Sequence, residues 1–191
     1  MHGPAVLSWL LAMLTAATGG LCLLRLRGGA AAGPALVSEP HGPGRESDAA
    51  EAVMGLGMAV MIVLGDRAPA PLWAGLFGLL GAGFLLAAAA GGPAGRRAHR
   101  LHHAVGALAM VYTALAMSGA GPSGHAAMAG MTPPGLPAVT GLLLVYFGGY
   151  ALWTGSRLLS TAGPHPAGAA GLPQACRLAM GVGMFAMLLA L

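Results

Sequence analysis

Residues 71–90, PLWAGLFGLLGAGFLLAAAA, run for a full segment without one charged side chain. A helix needs about 20 predominantly apolar residues to cross the hydrocarbon core of a bilayer, and this stretch has that length. Working outward, five more segments qualify, at 4–24, 49–65, 101–119, 136–156 and 173–191. The gaps between them are rich in Gly and Pro, as in RGGAAAGPALVSEPHGPGRES, and none carries an apolar pattern able to build a soluble domain. The pattern predicts an all-α, six-helix transmembrane bundle occupying 1–191 as a single polytopic membrane domain.

Composition agrees. Of the 191 residues, 57% are hydrophobic and 7% charged, where soluble proteins carry about 25% charged residues. The formal charge is +4, but there is no lysine and the arginines flank the apolar segments, so nucleic acid is not the expected partner. The expected partners are the lipid bilayer and a membrane or extracytoplasmic protein. Arg25, Arg27 and Arg45 fall in the first gap, Arg96, Arg97 and Arg100 in the third, and Arg157 and Arg177 flank the fifth; Arg67 alone falls in an even-numbered gap. The positive-inside rule then puts the odd gaps in the cytoplasm and both termini outside. No positive charge precedes segment 4–24, and Arg25 and Arg27 follow it, which fits a retained first helix better than a cleaved signal. Cys22 and Cys176 form no CxxC pattern, fall near the expected cytoplasmic ends, and are expected to stay reduced without a disulfide.

The second segment has a start signal. Asp48 is placed to cap the helix with Glu51 reaching back to it, as in a capping box. Beyond it lies a repeat: Met54-Gly55-Leu56-Gly57-Met58-Ala59-Val60-Met61 is echoed by Met180-Gly181-Val182-Gly183-Met184-Phe185-Ala186-Met187. At about 100° per residue, each methionine triplet falls within about 60° of arc. Glu51 extends the first face and Cys176 the second. In the fourth segment His99, His103, Met110 and Met117 share a face, with His102 turned about 100° away.

Two readings of these faces stay open. Methionine is a flexible filler of gaps between helices. Thioether and thiolate ligands also select Cu(I), and imidazole suits copper or zinc. On the second reading Met54, Met58, Met61, His103, Met110, Met180 and Met184 line an interior metal site. His125, Met128 and Met131, between the fourth and fifth segments, form a His-x-x-Met-x-x-Met string that resembles those of extracytoplasmic copper carriers. The other reading of that string is an Ala/Gly-rich linker that happens to contain methionine.

Other features carry less. His99, His102 and His103 beside Arg96, Arg97 and Arg100 suit an anionic lipid headgroup, or simply the interface. A histidine facing them from another segment, as haem ligation requires, is missing. Trp9, Trp73 and Trp153 are expected as interface anchors, and Tyr146 and Tyr150 share a face of the fifth segment. There is no GxSxG, HExxH or phosphate-binding Gly-rich loop, so no residue is assigned a catalytic role.

The strings Asp48–Met58, His102–Tyr112 and Met180–Met187 resemble an uncharacterised family of small bacterial multi-pass membrane proteins, known only as a domain of unknown function. The resemblance spans all six segments and implies a membrane location; it brings no functional residues with it. The Ala-, Gly- and Arg-rich composition without lysine suits a high-GC bacterial genome. The expectation is a bacterial plasma-membrane protein handling a soft metal such as copper. The alternative is a non-catalytic structural or accessory membrane subunit, or a lipid-associated transporter.

Overall fold

The computed structural model describes residues 3–31, 43–64, 67–119, 136–160 and 171–191. Among the described residues there are six helices and no strand: α1 Gly3–Ala31, α2 Pro43–Leu64, α3 Ala70–Ala89, α4 Ala94–Gly119, α5 Pro137–Ser160 and α6 Gly171–Leu189. Each overlaps one apolar segment. Two begin well before it. α2 starts at Pro43, so Asp48 lies inside the helix rather than at its cap; Pro at the first position suits a helix start because its missing N–H has no partner to lose. α4 starts at Ala94 and carries Arg96, Arg97 and Arg100 in helical conformation.

The segments Val6–Gly28, Arg45–Leu64, Ala70–Ala89 and Pro137–Ser160 are long and apolar enough to cross a membrane. The described apolar part of α6, Gln174–Leu189, is shorter, and α4 is diluted by its arginines and histidines. Large apolar side chains lie on the outside of these helices: Leu7, Leu79, Leu86, Val145, Leu152 and Leu159 are all exposed. A soluble protein does not present apolar surface on that scale, whereas a bilayer requires it. The chain is a membrane protein.

The contacts divide the chain into two compact units, 1–63 with 148–183, and 64–147 with 184–191. In the first, α1 and α2 touch backbone to backbone. A Cβ built on Gly19 would stand 2.8 Å from the Leu56 nitrogen, and one on Gly55 would stand 3.0 Å from the Thr15 carbonyl oxygen. Only glycine allows that approach, as small residues do between helices in lipid. Gly183 of α6 lies against the Thr15 methyl, and Gly181 against Tyr150 and Ala151 of α5. Thr15 is buried, and its hydroxyl donates to the Leu11 and Ala12 carbonyls of its own helix.

In the second unit, α3 and α4 form a helical hairpin. Gly91 and Gly92 make the reversal at φ +91° and +124°, where a Cβ is strained. Gly81 sits against Ala107, and the Arg100 guanidinium donates to the Ala87 carbonyl at 2.7 Å near the end of α3. The Tyr112 hydroxyl joins α4 to the start of α5 through Thr140 Oγ1 at 2.6 Å and the Leu136 N–H at 2.9 Å. Trp9 and Trp153 are exposed, and Trp73 is buried against Phe77.

Candidate functional site

Three helices of the first unit bring polar side chains to one place. α1 supplies Cys22, α2 supplies Ser47 and Glu51, and α6 supplies Cys176 and Arg177. The reason lies in spacing. Cys22 follows Gly19 by one helical turn, and Gly55 follows Glu51 by another. The glycine crossing of α1 on α2 therefore brings Cys22 and Glu51 onto facing surfaces. Cys22 Sγ lies 3.6 Å from Glu51 Oε2, the thiol donating.

Glu51 is 2% exposed. Its Oε1 accepts from the Ser47 hydroxyl at 3.1 Å and from Arg177 Nε at 3.2 Å. Arg177 Nη2 also donates to Ser47 Oγ at 3.2 Å. A buried carboxylate is tolerable only when paired and hydrogen-bonded, and Glu51 is both. Arg177 itself is part-exposed, so the cluster has a part-exposed cation on one side and apolar packing on the other. Cys22 and Cys176 pack with Ala52, and Leu23 and Leu26 close over them. One ligand atom each from Cys22, Glu51 and Cys176 lies within 4.8 Å of the other two, and all three residues are buried. A second ion pair, Arg25 to Asp48 at 3.5 Å, lies alongside. The capping-box reading of Glu51 is thus corrected: its side chain turns to Cys22 and Arg177.

The sequence-predicted ligands divide between the units. Met54, Met58, Met61 and Met180 belong to the first and His103, Met110 and Met184 to the second, and all are buried. Met117 is 40% exposed and drops off the buried face of α4. His125, Met128 and Met131 lie outside the described residues. What the structure brings together is therefore a thiol–carboxylate cluster of which periodicity had picked out Glu51 and Cys176, but not Cys22 or Arg177. Gly19 and Gly55 were the available signal, since small residues mark where helices meet.

In the second unit His102 and His103 face different partners. His102 Nδ1 is 2.8 Å from the Tyr146 hydroxyl. His103 Nε2 is 3.0 Å from His99 Nε2, and Phe84 stacks on the His103 ring with centroids 5.3 Å apart.

No curated protein and no solved structure matches the chain. A family described as "Domain of unknown function (DUF5134)" matches residues 43–191. The match takes in α2 to α6, with Glu51, Cys176 and Arg177, and begins after the helix that holds Cys22. Because it covers well over half of the sequence, the chain belongs to this family, a domain of unknown function.

Proposed function

We propose that this membrane protein binds a soft metal ion, Cu(I) foremost, through the Cys22 and Cys176 sulfurs and the Glu51 carboxylate. The observation that carries the reading is the convergence of these three buried ligand atoms within 4.8 Å, each from a different helix. Two metal–sulfur bonds of about 2.3 Å span at most about 4.6 Å, so the spacing needs little adjustment. Thiolate ligands select soft ions. Arg177 and Ser47 hold Glu51 in place, and Arg177 offsets its charge.

The thioethers extend this site. Met54 and Met58 continue the α2 face beyond Glu51, and Met180 lies one turn beyond Cys176. With Met61 they give an ion released by the thiolates a soft lining to move along. His103, Met110 and Met184 would serve in the second unit, and His125, Met128 and Met131 would capture metal outside. The topology proposed is six crossings of a bacterial plasma membrane with both ends outside, on the arginine distribution, in one polytopic domain.

A second reading rests on the burial of every methionine of the two octets described above: a structural or accessory subunit whose methionines only pack. It predicts that Met58→Leu is nearly neutral for stability, since volume is conserved.

The test is metal content. Protein purified under reducing conditions, loaded with Cu(I) and desalted is expected to retain one copper per chain by mass spectrometry. Cys22→Ser with Cys176→Ser should retain less than a tenth of that. Wild-type protein that emerges without copper, or equal loading of the variant, overturns the reading.

A further inference from the structure

The second unit holds a histidine pair on α4 that includes His103, one of the residues named above. His99 and His103 are one helical turn apart on α4, and their Nε2 atoms approach to 3.0 Å with the rings edge to face at 88°. His103 is buried and held by the stacked Phe84 ring, while His99 is half-buried, so the pair is reachable from one side. His102, the third histidine, is turned to Tyr146 and stands outside the pair.

We infer that His99 and His103 form a bidentate imidazole site for a borderline divalent cation of the Zn(II) or Co(II) class. The geometry is that of two ligands on one ion. Metal–imidazole bonds are about 2.0–2.1 Å, and two of them with nitrogens 3.0 Å apart meet at roughly 95°. At a tetrahedral ion the nitrogens sit about 3.3 Å apart, which asks only a few tenths of an ångström of ring tilt. A histidine pair at i and i+4 on a helix presents both rings to one point because the two positions share a face. Imidazole without sulfur favours a borderline ion over Cu(I), so this site differs in chemistry from the thiol cluster. The competing account is a plain N–H···N bond between the rings.

Full-length protein carrying Cys22→Ser and Cys176→Ser is titrated in detergent with Co(II) alone. The expected result is one Co(II) per chain by its visible absorption, displaced by Zn(II), with affinity at least tenfold lower when His99→Ala is added. If circular dichroism shows the serine variant unfolded, wild-type protein is titrated instead, with and without His99→Ala. Cobalt–thiolate charge-transfer bands then separate sulfur-bound from imidazole-bound ion. Absence of imidazole-bound Co(II), or unchanged affinity after His99→Ala, overturns the inference. The result does not depend on copper retention by the wild-type protein, so the two readings fail separately.

Discussion

At the scale of single residues, the asymmetry between Glu51 and Arg177 is the most informative feature. Glu51 is buried and Arg177 is part-exposed. Arg177→Ala strands a carboxylate in an apolar setting, which costs about 3 kcal/mol or more. Glu51→Gln leaves a cation that is part-exposed rather than buried, and should cost about 1 kcal/mol. Thermal unfolding in detergent is expected to rank the two in that order, and equal losses would mean that Arg177 does not balance Glu51. Acidity gives a second check. Thiol ligands must lose their protons to bind metal, so affinity should fall as pH falls, by about tenfold per unit for each proton displaced. A Cu(I) competition titration between pH 8 and 6 reads this directly, and a flat profile would exclude thiolate ligation. Little of this residue-level chemistry was legible beforehand. Helical periodicity set Glu51 and Cys176 on the methionine faces, but Cys22 stands alone in α1 and Arg177 read only as a topology charge. Their partners are distant in sequence, and no local pattern encodes a contact between α1 and α6.

At the scale of elements, the α1–α2 crossing depends on glycines that look alike in sequence and differ in space. Gly19 has Leu56 backbone at 2.8 Å from a built Cβ, while its neighbour Gly20 has nothing within 4 Å. Gly19→Ala is therefore expected to force the helices apart and destabilise by about 1–3 kcal/mol. Gly20→Ala should be neutral or stabilising by up to about 1 kcal/mol through helix propensity. Comparing midpoints of heat denaturation separates them, and identical shifts would show that the crossing tolerates a methyl group. Because Cys22 is one turn from Gly19, the damaging variant should also weaken copper retention. The six apolar segments foretold the elements well, since hydropathy over some twenty residues is a robust signal. Their starts were harder. Pro43 extends α2 and Ala94 extends α4 beyond the apolar run, because a helix continues through polar residues wherever its backbone bonds are met.

At the scale of the whole molecule, apolar exposure on helices long enough to cross a bilayer predicts behaviour in the cell. The protein should stay in the membrane fraction through high-salt and alkaline washes and leave it only with detergent; release by salt would contradict the fold. For the proposed threading, reporter fusions near Arg97 should read cytoplasmic, and a periplasmic signal there would reverse the arrangement. The burial of both thiols also makes such mapping easier. Cys22 is 0% exposed and Cys176 is 3% exposed, so a maleimide reagent added to intact cells should find the natural chain nearly silent. Cysteines engineered one at a time into the loops proposed to face outward would then report their own accessibility against a dark background, without first stripping the native pair from the gene.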